Sequence, residues 1–361
     1  MAYVAVKGGR EAIASAADYL HYFQTQGDSD PLAVDQIQDQ LYLAVDRVMG
    51  EGSLYAPDLA ALSLKQSAGD TLEAAFMVRA YRTTQPRIDY SLPADTSRMR
   101  VIRRISAAFK DIPGGQILGP TSDYTLRLLD FALLGESSAD RKRVMAQIID
   151  RLPVSDPVPD ALPKVIDILR RENLLVEHIS PAAGRSQPDD VTRQSITLPA
   201  SRSAALQTMA MGETGGLLAL AYSNMRGYGN VHPTVGELRV GYMPIEIENR
   251  WSGKTETIGH VKVTEAEVIS SLESDDQGPK FTLGYGLCFG HNETKAISMA
   301  VLDRAMQSSE PTSASEDQEF VLLHTDGVES MGFCNHFKLP HYVTFQSALD
   351  RLRKSQEKHE R

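Results

Sequence analysis

The hexapeptide His336-Phe337-Lys338-Leu339-Pro340-His341 places two imidazoles five positions apart, next to a proline. That spacing does not stack on one helix face, and Pro340 removes a backbone donor, so a turning or extended backbone is expected. On such a backbone both rings can converge on one ion. Zinc takes three or four protein ligands, so His336 and His341 supply only part of a site, which His324 or the softer Cys334 would extend. Two unrelated histidines beside a proline turn give the same spacing, so both readings stand.

A second stretch, Arg226-Gly227-Tyr228-Gly229-Asn230-Val231-His232-Pro233, is followed by Gly236-Glu237-Leu238-Arg239. Glycines on either side of Tyr228 allow close approach of a ligand to the backbone. Arg226 and Arg239 can fork onto phosphate oxygens, and His232 and Glu237 can move protons. The third stretch is Lys110-Asp111-Ile112-Pro113-Gly114-Gly115-Gln116. Its lysine precedes the glycines and no Gly-Lys-Ser/Thr follows, so it is not a Walker A loop. Neither cysteine has the setting of a nucleophile; Cys288, within Leu287-Cys288-Phe289, reads as core. The sequence has no Gly-x-Ser-x-Gly elbow, GxGxxG loop or HExxH helix, so serine hydrolase, Rossmann dehydrogenase and zincin readings lack support.

The elements that must carry these residues follow from periodicity. Residues 11–85 read as helices: Ile37, Leu41, Ala44, Val45 and Val48 recur at helical spacing. Asp70 and Glu73 form a capping-box signature for a helix through Ala74–Tyr81. Ahead of them, Tyr3–Val6 reads as a short strand that opens through Gly8-Gly9 into the first helix. Pro86 and Pro93 bracket a linker, and the alternation from Arg98 to Phe109 predicts a strand, interrupted at Ile102 and Arg103. Residues 139–172 read as two helices parted by Pro153, Pro157 and Pro159. Ser203–Tyr222 reads as helix with a break at Gly215-Gly216. Strands are expected from Gly236 to Phe289, with a hairpin near Asp275–Gly278, then a helix at Glu293–Met306 and an acidic loop at Ser308–Glu319. Val321–Leu339 predicts strand–turn–strand, and Ala348–Arg361 a polar terminal helix. The fold class is therefore α+β: a helical N-terminal region, then a mixed α/β region with a predominantly antiparallel sheet. Three regions are expected, at residues 1–95, 96–190 and 191–361.

Composition bounds the function. The 361 residues carry 37 Lys+Arg and 47 Asp+Glu, a formal charge of −10, which disfavours a nucleic-acid polymer as partner. The charge is uneven, however. Eight bases and two acids give +6 across residues 79–110, leaving −16 elsewhere, a pattern suited to one compact polyphosphate pocket. With two cysteines, a disulfide scaffold or four-Cys cluster within this chain is excluded. The polar N-terminus lacks a signal-peptide core, and no apolar run reaches the ~18–20 residues that span a bilayer, so a cytoplasmic chain is expected.

Taken together and in order, these segments resemble the PhnI family, the I subunits of the bacterial carbon–phosphorus lyase core complex. The resemblance rests on Tyr3-Val4-Ala5-Val6-Lys7-Gly8-Gly9, Leu43-Ala44-Val45-Asp46-Arg47-Val48-Met49, Arg104-Ile105-Ser106 and Lys110 through Gln116. It continues in Leu118-Gly119-Pro120-Thr121, Ala221-Tyr222-Ser223, Arg226 to Gly229, His232-Pro233, Gly284-Tyr285-Gly286 and Lys338-Leu339-Pro340-His341-Tyr342. It implies a subunit of phosphonate catabolism that, with partners, displaces adenine from MgATP by an alkylphosphonate. The product is α-D-ribose 1-alkylphosphonate 5-triphosphate. The family is also associated with nucleosidase activity on ATP or GTP. Implied partners are the G, H and J subunits, and the ATP-binding-cassette-type subunits K and L. Implied metals are zinc at His336 and His341, and Mg²⁺ carried on ATP. The stretch Ser201–Gly212 departs from the family pattern in holding a single base, Arg202.

Inversion at C1′ fits a single displacement through an oxocarbenium-like transition state, which a carboxylate stabilises while an acid protonates the purine. Glu237 is the candidate carboxylate and His232 the candidate acid. Lys110, Arg226, Arg239 and Lys338 are the candidate phosphate-binding cations. Two other readings remain: a non-catalytic scaffold of the same complex, and a stand-alone zinc hydrolase on His324, His336 and His341.

Overall fold

A computed structural model describes residues 9–152, 162–176, 189–229, 233–275 and 278–359. The expected strand at Tyr3–Val6 and the prolines 153, 157 and 159 lie outside the described residues. The architecture is α+β, as the sequence predicts. The front is helical: α1 (Arg10–Thr25), α2 (Val34–Gln40), α3 (Tyr42–Gly52), α4 (Pro57–Gln66) and α5 (Thr71–Thr84). Ile37, Val45, Val48, Met49, Leu64 and Val78 bury their shared apolar faces in one core. The Asp70 cap forms, its carboxylate accepting the Leu72 and Glu73 N–H groups at 3.0 and 3.1 Å.

An antiparallel sheet follows in the order β1 (Arg100–Ile105), β2 (Thr234–Glu248), β3 (Thr255–Asp275) and β4 (Gly278–Phe289). The interruption read at Ile102 and Arg103 is a register shift between Val101 and Arg103. The predicted hairpin pairs Asp275 with Gly278, and its two turn residues lie outside the described residues. Two further helices are α6 (Ser138–Ile149) and α7 (Ile166–Arg171); α8 (Arg202–Met211) and α9 (Thr214–Ser223) precede the sheet's long strands.

The sheet's two faces differ. Leu238, Ala266, Val268 and Cys288 meet α10 (Glu293–Ala305) in the main apolar core. The contact is close enough to dictate Gly284 and Gly286. A Cβ at 284 would sit 2.0 Å from the Ala300 carbonyl oxygen, and one at 286 would sit 2.1 Å from that of Ala296. The second Gly-Tyr-Gly is thus a helix–sheet contact. The opposite face carries Glu237, Arg239, Glu265 and Glu267, set side by side by the pairings Arg239↔Glu265 and Glu237↔Glu267.

Two local expectations are corrected. Residues 321–339 form helices, α11 (Gln318–His324) and α12 (Gly327–His336), rather than strands. Asp317 caps the first by accepting the Phe320 N–H at 2.8 Å, and Asp326 caps the second by accepting those of Val328 and Glu329. Val321, Leu322 and Val328 owe their burial to tertiary packing, and a strand reading mistook those short apolar runs. The break near residue 215 falls earlier, at Gly212–Glu213. The Glu213 carboxylate caps α9 and accepts the Gly216 N–H, leaving both glycines within the first turn. The chain closes with α13 (Tyr342–His359), and no helix among the described residues is long and apolar enough to cross a membrane.

Candidate functional site

The junction between α12 and α13 brings His336 and His341 together. α12 ends at His336, Pro340 prevents continuation, and His341 immediately precedes α13. Their ring centroids are 5.5 Å apart. His341 Nδ1 faces the Leu339 carbonyl oxygen at 2.6 Å, and His336 Nδ1 faces that of Phe333. A carbonyl only accepts, so each Nδ1 carries a proton, and in the neutral ring Nε2 holds the lone pair. That is the state in which an imidazole ligates a metal. Among the described residues no group of three His, Cys, Asp or Glu side chains gathers to hold an ion. His324 instead stacks on Phe320, with Nδ1 2.7 Å from that residue's carbonyl oxygen. The histidine pair fits part of a metal site, and a metal held there would need further ligands from outside the described residues.

Beside the pair, a cleft of about 700 Å³ runs between α5 and α12, lined by Phe76, Thr83, Glu329, Phe333 and His336. Its floor is tied by Arg79, whose Nη1 donates to both Asp326 oxygens at 2.9 and 2.6 Å and whose Nη2 donates to the Glu51 carbonyl at 2.8 Å. Lys338 lies exposed between the two histidines, 3.4 Å from Asn335 Oδ1.

The predicted Glu237 and Arg239 occupy a different setting, inside the molecule. Glu237 is 2% exposed: its Oε1 accepts from Arg104 Nε at 2.5 Å and its Oε2 from the Val165 N–H at 3.0 Å. Arg104 also donates to the carbonyls of Pro113, Gly115 and Pro163, so one buried guanidinium ties the Pro-Gly-Gly loop to the sheet. Arg239 pairs with Glu265, and Lys164 Nζ bridges Glu265 and Glu267 at 2.7 and 2.8 Å. Burial pushes the Glu265 carboxyl up, but Arg239 and Lys164 outweigh it and hold it at about 2. For Glu267, burial and the neighbouring Glu265 charge prevail over Lys164 and raise its pKa. Burial, and then the Glu265 charge, raise Tyr285 well above its ordinary value. In this chain Glu237 and Arg239 therefore organise the interior rather than line an open cleft.

The remaining sequence candidates are placed as follows. Lys110 is exposed on the loop after β1, which Gln116 staples by donating to the Phe109 and Lys110 carbonyls at 3.2 and 3.0 Å. Arg226 is exposed on the turn Asn224–Tyr228, where Gly227 adopts φ +110°. His232 lies outside the described residues. Arg202 pairs with Asp303 in a two-pronged contact at 3.0 and 2.6 Å.

Sequence reasoning missed one constellation. Arg103, 1% exposed, lies between Asp123 and Glu293, 2.5 Å from the first and 2.7 Å from the second. Its Nε faces Glu293 as an ion pair without directing its N–H at the carboxylate. His291 Nε2 lies 2.9 Å from the same Glu293 oxygen. The available signal was Gly290-His291-Asn292-Glu293, a strand end followed by a helix cap: Asn292 accepts the Lys295 N–H at 3.1 Å.

Residues 2–359 match the sequence family described as bacterial phosphonate metabolism protein (PhnI). The chain belongs to the PhnI family. It is 47% identical over 362 residues to the Escherichia coli K12 alpha-D-ribose 1-methylphosphonate 5-triphosphate synthase subunit PhnI, covering 98% of each chain. It is 45% identical to the Rhizobium meliloti protein of the same description, covering 99% of this chain and 96% of that one. A putative C-P lyase subunit protein, HtxH of Stutzerimonas stutzeri, is 54% identical over 99% of this chain and 97% of its own length. Membership of the PhnI family agrees with the resemblance read from the sequence blocks. It also means that the exposed sites above belong to a family whose relatives are described as subunits.

Proposed function

We propose that this chain is the I-type subunit of a carbon–phosphorus lyase core complex. There it joins an alkylphosphonate to the ribosyl carbon of MgATP, with loss of adenine, to give α-D-ribose 1-alkylphosphonate 5-triphosphate. The observation that carries the reading is identity along nearly the full length of a relative described as a subunit of that synthase. The partners are G-, H- and J-type subunits, with K- and L-type subunits joining the assembly. A purine nucleotide nucleosidase activity, in which water replaces the phosphonate, is the corresponding side reaction.

The arrangement of cations supports a polyphosphate substrate. Lys110 and Arg226 are exposed on pre-shaped turns at the ends of β1 and before β2, and among the described residues they are free of the ion pairs that consume Arg79, Arg103, Arg104 and Arg239. Exposed cations can meet both a triphosphate and an incoming phosphonate, whose mutual repulsion otherwise opposes the displacement. Glu237 in this reading holds Arg104 and the Pro-Gly-Gly loop in place, and His232 is the candidate acid for the departing base.

Zinc is assigned to His336 and His341 through their Nε2 atoms, with the other ligands supplied by substrate or a partner chain. When bound, it would act as a Lewis acid toward an oxygen ligand. The stand-alone hydrolase reading needs a third ligand from His324, which stacks on Phe320 instead. Co-expression with G-, H- and J-type subunits, followed by incubation with ATP and methylphosphonate, tests the proposal. Adenine release and the phosphonate ester are expected together. A purified assembly that binds ATP yet yields neither would leave the chain a scaffold.

A further inference from the structure

A second cleft, of about 600 Å³, opens between β1, the loop after it and the N-terminus of α10. Its apolar lining comes from Ile105, Leu238 and Ile297, and its polar lining from Asp123, Tyr124 and Glu293. Both carboxylates are anchored from within by Arg103, whose side chain is 1% exposed, while they keep 43% and 22% exposure themselves. Arg103 Nη1 also donates to the Leu118 carbonyl at 2.6 Å, so the guanidinium is fixed on three sides. Arg103 and His291 both engage Oε1 of Glu293, and no described contact uses Oε2. Burial pushes the Glu293 carboxyl up, but His291 and Arg103 outweigh it, so the group is ionised at neutral pH.

We propose that this cleft takes the nucleoside part of the nucleotide substrate, with Tyr124 against the base and Glu293 Oε2 beside the ribosyl carbon. The inference rests on the reaction proposed above and supplies its catalytic carboxylate. An anchored, ionised carboxylate on apolar walls stabilises positive charge developing on a sugar ring more than the same group does in water. Tyr124 is 79% exposed and offers its ring for stacking at the rim. The bordering loop carries exposed Lys110, a cation available to the phosphates. In the displacement the C1′–N9 electron pair leaves with the base, which takes up one proton from the acid that serves the departing base. A phosphonate oxygen lone pair forms the new C1′–O bond. Glu293 makes no bond, and no oxidant or reductant is needed. Arg103 and His291 are positioning residues.

The test uses the assembled complex carrying Glu293→Gln, a near-isosteric change at the helix start. With ATP and methylphosphonate, kcat for adenine release should fall at least about 100-fold. KM for ATP should stay within about threefold, because Gln keeps the shape of the side chain in the cleft. In a second variant, Tyr124→Ala at the exposed rim, the loss should fall on KM for ATP, by roughly fivefold or more. Wild-type turnover by the Gln variant would overturn the inference, as would a fall explained by lost assembly on size-exclusion chromatography. An unchanged KM in the Tyr124 variant would remove the base from this cleft. A wild-type complex that releases no adenine would instead refute the proposed reaction, and this inference with it.

Discussion

Replacing Glu237 by Ala should destabilise the chain by roughly 3–5 kcal/mol, the usual cost of removing one partner from a buried ion pair. The structure accounts for a value that large. Glu237 Oε1 accepts from Arg104 Nε at 2.5 Å, with Arg104 fully buried, and Arg239 Nε lies 3.9 Å from the same oxygen. Oε2 satisfies the Val165 N–H. The substitution therefore strands a guanidinium and a backbone donor in a site sealed from water. Glu237→Gln keeps the shape and part of the hydrogen bonding, so its cost should be smaller. The pair Arg104→Met and Glu237→Met should recover part of the loss, because no charge is left unpaired. Recovery stays incomplete, since Arg104 also serves the Pro113, Gly115 and Pro163 carbonyls. Urea unfolding of wild type, Arg104→Met, Glu237→Met and the pair, treated as a double-mutant cycle, measures the coupling. A Glu237→Ala variant within about 1 kcal/mol of wild type would refute the structural role. If Glu237→Gln then abolished adenine release by the complex, Glu237 would return to the mechanism.

Gly284→Ala should cost about 1–3 kcal/mol, because its Cβ meets the Ala300 carbonyl oxygen at 2.0 Å and α10 must lift from the sheet; the thermal midpoint reads this. Glu265, depressed to about 2 in the folded chain, contributes stability that is present above its ordinary pKa near 4.5 and lost as pH falls toward 2. Glu267, raised, adds stability as pH falls through its own folded pKa toward 4.5, above the window in which Glu265 acts. Urea midpoints should therefore decline from pH 5 to pH 2 in wild type and decline less steeply in Glu265→Gln. Equal slopes would contradict the ladder. His336→Ala and His341→Ala should each lower the zinc that co-purifies with the assembled complex, by elemental analysis, and zinc content unaffected by both would place the metal elsewhere.

The helical front and the antiparallel sheet were legible because both rest on local signals. The Asp70 cap, the 3.6-residue spacing from Ile37 to Val48 and the alternation into β1 each follow from neighbours in sequence. Residues 321–339 were misread because Val321, Leu322 and Val328 are apolar for tertiary reasons, and the aspartate caps that decide the matter look like ordinary loop acids. The His336–His341 convergence was legible from Pro340, which forces the turn. The fates of the arginines were not. Arg98, Arg103, Arg104 and Arg239 have one chemistry in sequence, yet side-chain exposure runs from 49% for Arg98 to nil for Arg104. Their carboxylate partners lie far along the chain, Arg104 meeting Glu237 and Arg103 meeting Glu293, so only the sheet register reveals which cations are consumed. The same holds for Glu293, marked in sequence only as the first residue after a helix cap.

The most direct test of the account follows methylphosphonate by phosphorus NMR, with ATP and the complex assembled with or without this chain. With the chain present, the methylphosphonate signal should move to that of an ester as adenine appears in equal amount. The same conversion by an assembly lacking this chain would contradict the account.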